Sequence, residues 1–215
     1  MDLETKLPAD LWGESKPGQK DSKSALKVLA DGKDSFSLTG AVDVSTIKQQ
    51  MTAIEGRFPK AKPADINLTG TASTFTATLT LPDGVVAPKG LAADQVTATG
   101  LGDLFEVKSA SVDGQEVTVN FGLKKAYTSY EELKAAVGAT GTQAAFRMAG
   151  TSPITDQITL EIPGFSLDGN AVKNGDELTV TGVVTGTFTS VANTTADDAV
   201  RFNISWNGTQ IAAGR

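Results

Sequence analysis

The run FEVKSASV, Asp113-Gly114, QEVTVNFGL constrains this chain more than any other feature. An Asp-Gly pair supplies the positive φ that a two-residue type I′ turn demands, and strand-forming residues flank it on both sides. A hairpin from about Phe105 to Leu123 is therefore predicted. In its second arm Val117, Val119 and Phe121 alternate with Glu116, Thr118 and Asn120. A period of two buries one face and wets the other, so the hairpin belongs to an antiparallel sheet covered on one side.

The same texture runs along most of the chain. From Leu26 onward, short Thr- and Val-rich runs are separated by Gly, Asp and Asn, the punctuation of consecutive strands. Strands are predicted at Ser35 to Thr39, Asp65 to Thr71, Gln143 to Met148, Ile154 to Ile162 and Glu177 to Ser190. TFTATLTL forms another, ending at the turn Pro82-Asp83-Gly84. A second hairpin is expected to join RFNISW to TQIA through Asn207-Gly208.

Two segments depart from this pattern. STIKQQMTAIEGRF places Ile47, Met51, Ile54 and Phe58 on one helical stripe, with Gly56 as a signal that the helix ends early. SYEELKAAVG opens with Ser129 and Glu132 in a capping-box pattern, carries Tyr130, Leu133 and Val137 as its apolar stripe, and stops at Gly138. The predicted fold class is thus mainly β: an antiparallel β-sandwich-like unit built from hairpins, with two short helices at about 45–57 and 129–137. Residues 1–23 are charged and polar, with Leu11 and Trp12 their bulky exceptions, and read as a flexible tail or linker. Residues 24–215 form the module, and a break near Gly150 to Pro153 suggests two lobes, 24–149 and 150–215.

Composition narrows the function. With 25 acidic against 19 basic residues the net charge is -6, opposite to what phosphate neutralisation requires, so nucleic acid is disfavoured as a partner. The chain has no histidine and no cysteine, which removes the side chain titrating nearest neutral pH, the commonest zinc ligands and the usual thiol nucleophile. No run approaches the ~18 apolar residues of a membrane span, so insertion into a membrane is not expected. The start MDLETKLPADLWGESKPGQKDSK lacks the apolar core of a signal peptide, so a secreted form would be a mature or excised piece.

Catalysis would then need paired carboxylates, a Ser-Lys pair, a tyrosine or a metal. Glu161 in ITLEIPGF is a candidate general acid if it faces inward, but alternation puts it opposite Leu160 and Ile162, on the solvent side. Asp168, Asn170, Asn174, Asp176 and Glu177 gather in SLDGNAVKNGDEL, an oxygen-rich loop of the kind calcium favours, without the spacing of an EF-hand. Turn chemistry explains the same residues, and Asp197 and Asp198 fit a solvated loop. Asn67, Asn193, Asn203 and Asn207 sit in Asn-x-Ser/Thr sequons, which chance explains in so Thr-rich a chain. Trp206 precedes the Asn207-Gly208 pair; with Tyr127 or Tyr130 exposed on the same face it would make a sugar-stacking platform. No catalytic, cofactor-binding or metal-ligating residue is assigned, and no cofactor is expected.

The succession TFTATLTLPDGVVAPKG and LFEVKSASVDGQEVTVNFGLKKAYTSYEELKAAVGA, across residues 66–150, resembles modules of the cell-wall-anchored surface proteins of Gram-positive bacteria. The resemblance implies an extracellular adhesin or stalk module with neighbouring domains in a longer polypeptide, binding a protein or glycan ligand. Such proteins carry a C-terminal sorting signal, whereas this chain ends in QIAAGR, so the resemblance implies a piece of a larger protein. Modules of this kind sometimes carry a Lys-Asn isopeptide cross-link beside a buried acid. The resemblance points to Lys27 and Asn203, with Glu161 or Glu177 as the helper. Three roles follow: a non-catalytic surface module that binds or spaces, a carbohydrate-binding module, and a carboxylate-dependent glycosidase.

Overall fold

The computed structural model describes residues 2–6, 35–100, 104–138, 157–173, 176, 178–194, 200–206 and 211–213. In order they form β1 (Asp2–Lys6), β2 (Phe36–Asp43), α1 (Ser45–Arg57), β3 (Ile66–Thr80), β4 (Val85–Val86), β5 (Thr97–Thr99), β6 (Phe105–Asp113) and β7 (Glu116–Leu123). After these come α2 (Tyr130–Gly138), β8 (Gln157–Leu167), β9 (Val180–Thr194), β10 (Val200–Trp206) and β11 (Ile211–Ala213). The expected strand at Gln143 to Met148 lies outside the described residues, as do Lys27 and most of segment 1–23. The fold is mainly β, with two antiparallel sheets and two short helices, as the sequence pattern predicts.

The first sheet runs β1-β2-β8, with β4 and β5 on the far edge of β8. The second runs β10-β9-β3-β7-β6, and β11 also pairs with β9. At its centre β3 and β9 are each 15 residues long and pair from Ile66 opposite Thr194 to Thr80 opposite Thr181. Alternation accounts for their burial: Phe75, Ala77 and Leu79 of β3 point inward, while Thr74, Thr76, Thr78 and Thr80 point out. Buried residues of both sheets and both helices belong to one contiguous cluster.

Aromatic packing fixes the middle of the second sheet. Phe75 lies directly between Phe121 and Gly186 in the strand register. Its ring stacks on Phe121 at 4.9 Å and meets Phe105 edge-on at 5.6 Å. Gly186 makes room for that ring, since a β-carbon there would overlap Phe75 and sit 2.7 Å from the Thr74 carbonyl oxygen. In the first sheet Phe36 and Phe165, an opposed pair, stack at 5.9 Å.

The helices follow their stripes. Ile47, Met51, Ile54 and Phe58 are all buried, and α1 continues through Gly56 to Arg57. In α2 Tyr130 and Leu133 are buried, and Glu132 receives the Lys125 ammonium at 3.1 Å. No helix among the described residues is long and apolar enough to cross a membrane.

Three local readings need correction. The hairpin exists, but Asp113 pairs with Glu116, so its turn is centred on Gly114 and Gln115, one residue later than expected. Gly114 carries the positive φ of 58° that this tight reversal needs. Asp65 to Thr71 and TFTATLTL are not two strands but one. A register shift between Thr69 and Ala72, with Gly70 at φ 62°, absorbs an extra residue as a bulge and lets β3 continue. β10 and β11 do not pair with each other as the expected hairpin. β10 and β11 both run antiparallel to β9 and succeed one another along the same edge, Trp206 opposite Gly186 and Ile211 opposite Gly182. A long partner strand offers more hydrogen bonds than a two-stranded return, and it overrides the local turn signal. In addition, Asp2–Lys6, inside the segment read as a tail, pairs with β2 as an edge strand.

Candidate functional site

The second sheet turns an uncharged polar face to solvent. Opposed residues in adjacent strands share a face, so the register reads directly as rows of side chains. One row is Ser109, Asn120, Thr76 and Thr185; the next is Ser111, Thr118, Thr78 and Val183. Thr74 and Thr187 are opposed in a third. All of these side chains are exposed or half-buried. Strands stand ~4.8 Å apart and same-face residues ~6.8 Å apart along a strand, so the hydroxyls form a regular grid.

Part of the grid is hydrogen-bonded. The Thr76 hydroxyl donates to Asn120 Oδ1 at 2.8 Å, and Asn120 Nδ2 donates to Ser109 Oγ at 2.9 Å. The amide, having both a donor and an acceptor, relays order across three strands. Thr74 and Thr187 hydroxyls lie 3.4 Å apart. Among the described side chains of β3, β6, β7 and β9, charge lies at the margins, at Asp113 and Glu116 by the turn and at the Glu106–Lys108 ion pair on β6. Such a surface can exchange hydrogen bonds with an uncharged polar partner.

A second polar cluster joins the helices. Tyr130 is fully buried, and its hydroxyl reaches the Met51 carbonyl at 3.1 Å and Glu55 Oε1 at 2.9 Å. The same carboxylate oxygen receives the Lys134 ammonium at 2.6 Å. Burial, with the adjacent carboxylate adding to it, raises the Tyr130 phenol far above its ordinary range. The Lys134 and Tyr130 hydrogen bonds hold Glu55 below the usual carboxylate value. The arrangement clamps α1 to α2 and keeps the phenol neutral.

Comparison with known protein families and with curated proteins finds no match. The residues themselves must therefore carry the reading.

Of the positions singled out in the sequence, Tyr127 and Tyr130 are both buried, and Lys125 lies over the Tyr127 ring at 5.1 Å. Neither ring is available to stack on a sugar. Trp206 is placed by its backbone alone, opposite Gly186, and Trp12 lies outside the described residues. Glu161 stands half-buried on the outer side of β8, between Thr39 and Thr97 in the register, while Leu160 and Ile162 are buried as expected.

In the acidic loop, Asp168 Oδ1 accepts the Asn170 amide at 2.9 Å and Asp176 Oδ2 accepts the Lys173 amide at 2.7 Å. These are turn-capping contacts. Among the described residues no three acidic groups gather as a ligand set; Asn174, Glu177, Asp197 and Asp198 lie outside them. Asn203 is opposed to Thr189 in the second sheet, whereas Glu161 belongs to the first. Asn67 and Asn193 are opposed to each other at one end of the β3–β9 pair, and Asn207 is outside the described residues.

Sequence reasoning missed Glu55 and Lys134. Glu55 lies next to the stripe residue Ile54, and only the packing of α2 reveals its partner.

Proposed function

We propose that this chain is a non-catalytic extracellular module of the adhesin or stalk type, carried in a bacterial surface protein. The observation that carries this reading is the outer face of the second sheet. A grid of Ser, Thr and Asn side chains, uncharged across its centre, suits a flat polar protein or glycan ligand, or a surface that must stay soluble while holding neighbours apart. The perturbed titratable groups among the described residues, Tyr130 and Glu55, support the non-catalytic part. They are engaged with each other and with Lys134 in joining two helices.

The cell-wall resemblance over residues 66–150 supports an extracellular location. Labelling of the source bacterium with antibody raised against the chain tests it. Label on intact cells is the expected result; label appearing only after permeabilisation refutes an extracellular role. Ligand binding is tested by screening immobilised glycans and matrix proteins with the natural chain and with Thr76→Lys/Thr118→Lys. Loss of a bound ligand in the double variant places binding on this face, and retention removes the face as the site.

A further inference from the structure

The strand β1 fills a place that closes one corner of the molecule. Its five residues pair with β2 in unbroken register, from Asp2 opposite Ala41 to Lys6 opposite Ser37. β2 pairs with β8 along its other edge, so β1 supplies the hydrogen-bond partners of the outward edge of β2. On its far flank β1 runs close to β11, which belongs to the second sheet. β1 is thus laid between the edges of two sheets, and its place is a slot with a fixed register. A strand edge of this kind is a template that any matching strand can complete.

Connection length decides which strands can be exchanged between copies. β6 and β7 are tied by a two-residue turn and must pair with each other. β1 is joined to β2 through residues 7–35. Fully extended, a span of that length reaches about 100 Å at ~3.3–3.6 Å per residue, whereas a folded chain of this size has a radius of gyration of only about 17 Å. The connection therefore permits β1 to lie on its own β2 or on that of a neighbouring copy. Both placements make the same backbone hydrogen bonds in the same register, so the slot does not discriminate between them.

We infer that the slot between β2 and β11 is an interaction surface for a second copy of this chain, filled by that copy's β1 in reciprocal exchange. Each copy gives one strand and receives one, so the pair closes and leaves neither slot open. A tether of this length holds β1 near its own slot at an effective concentration of about 1 mM. Exchange is accordingly the minor state at dilution and prevails where copies are crowded to that concentration or beyond.

The chain has no cysteine, so introduced thiols report the pairing without interference. Opposed Cα atoms of an antiparallel pair stand about 4.5–5.5 Å apart, within the ~4.4–6.8 Å that a disulfide spans. Glu4 and Thr39 are opposed, as are Lys6 and Ser37. Chains carrying Glu4→Cys are mixed with chains carrying Thr39→Cys, refolded together from denaturant in a glutathione redox buffer, and read by mass. The heterodimer linked between positions 4 and 39 should rise at least tenfold as total chain goes from about 0.01 to about 1 mM. It should exceed the product of Glu4→Cys with Thr118→Cys, whose partner position lies in the second sheet and reports random collision. A mixture of Lys6→Cys and Ser37→Cys should behave alike, and it gives a second reading should one variant fold poorly. In dilute solution the doubly substituted Glu4→Cys/Thr39→Cys chain should close the link within itself. A heterodimer yield no higher than the collision control in both pairs overturns the inference. An absent internal link in the doubly substituted chain overturns it too, since β1 would then not lie on β2.

Discussion

Tyr130→Phe removes a single oxygen from the clamp between α1 and α2, and the structure sets the size of its effect. The ring is fully buried and stays in place, so no cavity opens. What is lost is the hydroxyl's contact with Glu55 Oε1 at 2.9 Å and with the Met51 carbonyl at 3.1 Å. A hydrogen bond to a charged group is worth about 1.5–3 kcal/mol. Glu55 is close to half exposed and keeps Lys134 and water, so solvent screening brings the loss to the bottom of that range or somewhat below it, about 1–2 kcal/mol. For a chain of this length that lowers the melting temperature by about 2–8 °C.

The pH dependence follows from the same contacts. Glu55 titrates lower in the folded state than its ordinary 4.5, so its contribution is present above that value and fades as pH falls through the folded one. Tyr130 titrates higher when folded, so its contribution is full below pH 10 and is lost as pH climbs above it. Urea unfolding of the natural chain and of Tyr130→Phe at pH 3.5, 7 and 10.5 measures all three regimes. The variant should be less stable at neutral pH and show a shallower loss at both extremes. A difference under about 0.5 kcal/mol at pH 7, with parallel pH profiles, would refute the clamp.

Gly186→Ala forces a β-carbon against the Phe75 ring and to 2.7 Å from the Thr74 carbonyl oxygen, between two central strands that cannot part. Loss of about 3 kcal/mol or more, at the upper end of overpacking costs, is expected in the same unfolding assay. Thr71 and Ser190 form a buried hydroxyl pair at 2.8 Å beside the β3 bulge. Thr71→Val alone should cost about 1–3 kcal/mol by orphaning Ser190, and adding Ser190→Ala should recover most of that loss; a double-mutant cycle without coupling would show that the two hydroxyls are independently solvated.

Much of the architecture was legible because burial on one face writes itself into alternation. Val117, Val119 and Phe121 announced their sheet, and Ile47, Met51, Ile54 and Phe58 announced their helix. What failed was inference from turn residues alone. Asp65 to Thr71 and TFTATLTL read as two strands, although Gly70 at positive φ serves to bulge one strand that continues. Asn207-Gly208 was read as a hairpin because dipeptide propensity reports only what the local backbone prefers, and the free edge of β9 supplied a stronger preference. The grid on the second sheet was half visible, since each Thr-rich strand advertised an outward row. The order β9-β3-β7-β6 that aligns those rows depends on pairings between distant segments. Glu55 with Tyr130, and Thr39 with Glu161, meet only across such pairings, so no local window contains either pair.

The pairing of β3 with β9 also sets the order in which the molecule can assemble. The β6–β7 hairpin closes over a two-residue turn and can form as soon as it is synthesised. The β9 side of β3, however, waits for residues 180–194, and β2 waits equally long for β8. Loop-closure entropy must be met before these distant contacts return anything, which makes folding slow relative to a helical chain of equal size. During that interval β3 presents 15 residues of Thr- and Phe-bearing strand with one edge unsatisfied. Growing or truncated chains that stop before β9 are thus the form of this protein most exposed to aggregation, and the late strand acts as the molecule's own chaperone for the early one.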